Sequence, residues 1–146
     1  MKYLLYVFIF LVLAAAAAFF SVRVFDLDQS TNTTPIVWET KNDDQQNVTV
    51  AVTPFDLSPQ SAEWKFDIAL NTHSVELDQD LTKISVLVDD QGKEHLPIRW
   101  EGPVPGGHHM EGVLVFAPIK PFPSYIEIKI RDIGSIAERS FKWNTQ

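Results

Sequence analysis

The chain contains no cysteine. That absence removes disulfides, thiol catalysis, haem c attachment, iron–sulfur clusters and cysteine-ligated zinc together, so an exported fold would rest on its packed core alone. It also removes the lipid-modified cysteine that would make a lipoprotein. Basic charge is short as well: 12 Lys and Arg stand against 19 Asp and Glu, a formal net charge of -7. Such a chain lacks the positive footprint that phosphate backbones and anionic lipid headgroups attract, and it points to no nucleic-acid partner. Catalytic signatures are missing: the sequence has no G-x-S-x-G, no H-E-x-x-H and no phosphate-binding loop. No internal repeat is visible, and past residue 35 no stretch carries strong 3.6-residue periodicity.

The longest uncharged run is at the start. Tyr3 to Val22 reads YLLYVFIFLVLAAAAAFFSV, and twenty residues at ~1.5 Å per residue span ~30 Å, the hydrocarbon thickness of a bilayer. Two readings fit. A secretory signal would use Lys2 as its basic region, Leu4 to Leu13 as its apolar stretch and Ala16-Ala17-Ala18 as its cleavage site. A retained anchor accounts better for Phe19 and Phe20, which prolong the run and follow the alanines with bulk. Either way Lys2 stays inside and the chain beyond Arg23 is translocated. The expected organisation is an anchor or signal segment over 1–23, with membrane contact through residues 3–22. A polar linker follows over 24–35 (DLDQSTNTTP at its centre and end), and one domain occupies 36–146.

That domain is long enough for one real core. It should fold rather than stay disordered, because 45% of the chain is apolar and it holds 4 Trp and 10 Phe. Its pattern has period two, the strand signal. Val48, Val50 and Val52 alternate with Thr49 and Ala51; Trp64, Phe66, Ile68 and Leu70 alternate with Lys65, Asp67 and Ala69; Ile84, Val86 and Val88 follow the same rule. Asp89-Asp90-Gln91-Gly92 makes a hairpin turn. A return strand from Lys93 to Trp100 would carry Leu96, Ile98 and Trp100 on one face. Val113 to Phe116 reads as a strand buried on both faces. Ile126, Ile128 and Ile130 mark another, and Phe141 and Trp143 close the domain. Trp38, Trp64, Trp100 and Trp143 are read as core. One helical turn is expected within Val75 to Leu81. The sum is an all-β, antiparallel two-sheet sandwich of immunoglobulin-like kind, with a jelly roll or open barrel as the alternative.

One loop carries chemistry. Glu101 to Glu111 reads EGPVPGGHHME. Adjacent residues in a strand point to opposite faces, but a Gly-Gly entry lets His108 and His109 converge. Imidazole suits copper and zinc, and a thioether such as Met110 favours Cu(I). His73 in Asn71-Thr72-His73-Ser74 is the third candidate ligand, so the metal reading is copper at His73, His108 and His109; His95, mid-strand, stands apart. The plainer reading makes Gly106-Gly107 a turn with solvent-facing histidines. Glu76, Asp78 and Asp80 recur at every second residue, yet without a glycine or a full ligand set they read as a solvated acidic loop rather than a calcium site. Asn32-Thr33-Thr34 and Asn47-Val48-Thr49 match the glycosylation pattern, which matters only in a eukaryotic source.

At Asn71-Thr72-His73-Ser74-Val75-Glu76-Leu77, Val88-Asp89-Asp90-Gln91-Gly92, Trp100-Glu101-Gly102 and Gly106-Gly107-His108-His109, the chain resembles a family of uncharacterised exported bacterial and archaeal proteins. The resemblance runs from about Asn47 to Trp143. It implies a periplasmic or cell-surface β-domain and brings no established activity. In that family a basic residue is expected after the paired histidines, where this chain has Met110, a departure that cuts against one metal site shared by all three loop residues. Without a catalytic motif, the expected class is a binding or accessory module, with a protein partner on the extracytoplasmic side, rather than an enzyme.

Overall fold

The structure is a computed structural model that describes residues 37–146. The expected anchor or signal helix (1–23), its membrane contact (3–22) and the linker (24–35) lie outside the described residues. Among the described residues no helix is long and apolar enough to cross a membrane.

The domain is antiparallel β throughout, in two sheets. One holds β1 (Lys41–Gln45), β2 (Val48–Pro54), β3 (Trp64–Thr72), β6 (Arg99–Glu101) and β7 (His109–Phe116), in the order β1-β2-β3-β7-β6. The other holds β4 (Ser85–Val88), β5 (Glu94–His95), β8 (Tyr125–Ile133) and β9 (Ile136–Asn144), in the order β5-β4-β8-β9. The chain changes sheet three times, between β3 and β4, between β5 and β6, and between β7 and β8. Period-two patterning fixes which face is buried, because a one-residue slip would turn every apolar side chain to water. Val48, Val50 and Val52 of β2 alternate with half-buried residues, and Trp64, Phe66, Ile68 and Leu70 of β3 do the same. They meet Leu87, Ile126, Ile128, Ile130, Phe141 and Trp143 from the second sheet in one continuous core. Aromatic rings lock the middle: Phe66 packs edge-on against Phe116 at 5.6 Å and tilted against Trp143 at 6.1 Å, while Trp64 meets Phe122 at 5.9 Å.

Turn chemistry sets the hairpins. Gln46 and Asn47 both take left-handed backbone (φ 50 and 62), as do Gly134 and Ser135 (φ 61 and 65). These two-residue turns match the twist of the strands they join. The Asp89–Gly92 turn forms as read, with Gly92 at φ 76. Asp89 organises it by accepting from the N–H groups of Gln91 and Lys93 at 3.0 and 2.9 Å.

Four expectations are corrected. The return strand after that turn is two short strands, not one. Pro97 supplies no N–H for a ladder, the chain crosses between sheets there, and Leu96 and Ile98 end 70% and 54% exposed. In β4 all four residues are buried and Leu87, not Val86 or Val88, belongs to the core cluster; with both faces covered, apolar alternation carried no phase. Ile84 ends a helical turn instead of opening the strand. That turn, α1, spans Leu81–Ile84 rather than starting near Val75, because Asp80 caps it by accepting from the Thr82 N–H at 3.0 Å. Trp100 is half-buried and packs against the core from β6. Its indole leaves no room for a Cβ at Gly112, which would stand 2.8 Å from the ring.

Candidate functional site

The histidine loop sits at one end of the five-stranded sheet, and a second loop holds it in place. Thr72 ends β3 and is buried; its N–H donates to the His108 carbonyl at 3.0 Å. Its hydroxyl accepts from the N–H groups of Ser74 and Val75, both at 3.2 Å, which folds the chain over His73. Leu77, fully buried, anchors the far end of that turn. It donates to the Gly107 carbonyl at 2.9 Å and accepts from the Gly106 N–H at 2.7 Å. The Glu76 carboxylate then accepts from the Gly107 N–H at 2.6 Å. Gly107 takes φ 79, a conformation side chains rarely adopt. Residues 72–77 and 106–108 are thereby zipped into one two-loop platform. His73, His108 and His109 are exposed on it, and Val104 is 85% exposed beside it.

The platform does not gather the three histidines around a point. Among the described residues no group of three or more His, Cys, Asp or Glu side chains is arranged to hold a metal ion, the copper candidates His73, His108 and His109 included. The reason is the ladder. A Gly-Gly entry was expected to let His108 and His109 converge, but His109 opens β7 opposite Asn71, and the Thr72–His108 bond carries the pairing one residue further. Successive side chains therefore diverge. His109 turns to the outer face, where its Nδ1 lies 2.8 Å from Asn71 Oδ1. Met110 turns inward and is 2% exposed, so its sulfur belongs to the core. His95 is elsewhere, with Nε2 2.9 Å from the Asp89 carboxylate.

Other polar centres were not singled out by sequence reasoning. On the outer face of the five-stranded sheet, Arg99 reaches Glu63 through both terminal nitrogens (2.6 and 2.8 Å) and Glu101 through Nε (2.8 Å). Lys65 lies 3.8 and 3.6 Å from the same two carboxylates. Hydrogen bonds from Arg99 hold both glutamates below the usual carboxylate range, and the pair of glutamates pushes Arg99 up. The cluster borders an open cavity of about 490 Å³ lined by Phe55, Asp56, Ser61, Ala62, Glu63 and Lys65. Its cations are already engaged by carboxylates, so it offers no free positive group for an anionic ligand. Strand pairing makes the cluster and is not legible in the sequence: the register brings Lys65 and Arg99 to either side of Val115 on one face.

The second centre is buried. Arg139 of β9 is 1% exposed and ion-paired with Asp43, and it donates to the Gln45 carbonyl at 2.9 Å. It joins the outer strands of the two sheets. No protein-family model, curated protein or solved structure matches the chain.

Proposed function

We propose that this chain is a membrane-anchored, extracytoplasmic binding module, not an enzyme, whose contact surface is the two-loop platform. The observation that carries the reading is the way residues 72–77 and 106–108 hold each other. Backbone bonds and Glu76 fix a loop that presents His73, His108, His109 and Val104 to solvent. A loop fixed on a rigid sheet end loses little freedom on binding, the usual arrangement of a recognition surface. An exposed histidine surface also suits contact with a protein better than chemistry that needs water excluded. The uncharged run Tyr3 to Val22 supports the anchor and, with it, that location. The finer fold reading is immunoglobulin-like. Counting β2 as strand A, the orders β2-β3-β7-β6 and β5-β4-β8-β9 correspond to ABED and C′CFG.

The test uses a photo-crosslinking residue at Val104 in whole cells, compared with one at Asn42 on the far strand of the same sheet. A discrete adduct at Val104, lost in His108→Ala/His109→Ala, is expected. Identical adducts at both positions, or none at Val104, would refute the platform as a contact surface. Location is checked separately with Val104→Cys: a membrane-impermeant maleimide should label it in intact spheroplasts, and labelling only after lysis would overturn the topology.

A further inference from the structure

Every sheet has two edges, and an unpaired edge is a template for another strand. Three of the four edges in this domain are blunted. β5 has 2 residues, β6 has 3, and β1 is a 5-residue strand of sequence KNDDQ. The fourth, β9, is 9 residues long, contains no proline, and pairs with β8 alone among the described strands, touching β1 only through its inward side chains.

Its backbone phase is fixed by the pairing. The Thr145 N–H donates to the Ser124 carbonyl at 3.0 Å, and the register with β8 is unbroken from Arg131↔Glu138 to Tyr125↔Asn144. Odd-numbered residues of β9 thus point their N–H and C=O groups at β8, and Glu138, Ser140 and Lys142 point theirs away. Those outward groups make no hydrogen bond to any described residue. The same three residues have exposed side chains. Arg139, the strand's inward charge, is engaged by Asp43 and Gln45 of β1 and does not confront an incoming strand.

We infer that β9 is a self-association edge, and that its occupant is β9 of a second copy of this chain, paired antiparallel about a two-fold axis at Ser140. Charge register selects that axis. Within its own copy Glu138 is held by Lys129 and Arg131 of β8 and the Lys142 ammonium lies over the Tyr125 ring; centred on Ser140, the pairing adds Lys142 of the other copy on the open side of each Glu138, so the favourable contact extends the existing network and occurs twice by symmetry. Moving the axis two residues either way sets Glu138 against Glu138 or Lys142 against Lys142. The Ser140 register uses the outward N–H and C=O groups of all three residues and joins two four-stranded sheets into one.

A chain without cysteine makes the test direct. In the full-length protein in detergent, Ser140→Cys places two thiols directly across the axis in a hydrogen-bonded pair, whose Cβ atoms at ~5.5 Å stand too far apart for an unstrained disulfide but within reach of a short bis-maleimide. Treatment with the bis-maleimide should give a covalent dimer. Glu138→Cys and Lys142→Cys should each crosslink poorly alone and well when the two variants are mixed. Association through residues 3–22 would instead crosslink all three positions equally, and pairing of β9 with residues 24–35 of its own chain would crosslink none; either overturns the proposal. A second arm needs no cysteine. Glu138→Lys should weaken dimerisation about tenfold by setting lysines opposite each other, and Glu138→Lys/Lys142→Glu should restore it. Failure of the double variant to recover, with its circular dichroism unchanged, would also refute the register.

Discussion

Arg139 and Arg99 present the same guanidinium in opposite settings. Arg139 is sealed between the sheets with one carboxylate, Asp43, and backbone carbonyls of β1, and its Nε has no partner among the described residues. Arg99 lies on an open face with two carboxylates and a side chain 39% exposed. By number of partners Arg99 is better served. By energetics Arg139 matters more: a charge taken out of water depends on its partner, whereas an exposed ion pair competes with water and salt. The comparison teaches where the fold is vulnerable. The buried pair joins β1 to β9 at the edge where the two sheets meet, while the exposed cluster coats Val115, which is fully buried on the outer side of the sheet.

The largest expected effect follows from stranding the buried charge. Asp43→Ala should destabilise the protein by about 3–5 kcal/mol, because Arg139 then has no counter-charge. Arg139→Met, which removes the charge and keeps much of the volume, should cost clearly less. Urea unfolding followed by tryptophan fluorescence measures both. A cost below about 1 kcal/mol for Asp43→Ala would mean water reaches the guanidinium.

Sequence patterning could in principle have located Arg139. It shares the odd-numbered face of β9 with Phe141 and Trp143, and an arginine at an inward position demands a partner. What patterning could not supply was Asp43, 96 residues away, since the β1–β9 contact depends on how the sheets roll together. Elsewhere legibility tracked contrast between faces. β2, β3 and β8 alternate apolar with polar or small residues, and their cores were read correctly. Ser85 to Val88 is buried on both sides and offered no contrast, so its phase was misread. At the platform, Gly106-Gly107 was recognisable as special. Its consequence was not: whether a ladder stops at a glycine depends on the strand opposite, and Thr72 continues it.

Asp89 is a centre of intermediate depth between the two arginines, 7% exposed. Burial alone would raise its pKa, but bonds from His95 and from the Lys93 and Gln91 N–H groups outweigh it and hold the carboxyl below its ordinary value. A carboxylate depressed in the folded state stabilises above its unfolded pKa, ~4, and loses that contribution as pH falls through the folded value. Asp56, Asp90 and Glu138 are lowered in the same sense, by bonds from Ser61, the Ser124 N–H and Lys129 respectively. Stability should therefore hold from neutral pH to ~5 and decline below ~4. Asp89→Ala should cost about 1–3 kcal/mol near neutral pH by leaving two turn N–H groups unpaired, and should flatten the acid decline. An unchanged decline would assign the acid sensitivity to other carboxylates.

The smallest effect belongs to the exposed cluster. Arg99→Met removes the charge and keeps a stem able to cover Val115, so its unfolding midpoint should shift less than that of Asp89→Ala, and the shift should vanish in ~1 M salt, where the Debye length falls to ~3 Å. Arg99→Ala also strips the cover from Val115 and should destabilise further, with a component that salt does not erase. Comparing the two variants at low and high salt separates the ionic part of the cluster from its packing. If Arg99→Met cost as much as Asp43→Ala, and did so in high salt, exposure would not be what distinguishes the two arginines. The difference would then lie in geometry, with the two-toothed grip on Glu63 holding β6 to the segment before β3 as firmly as the buried pair holds β1 to β9.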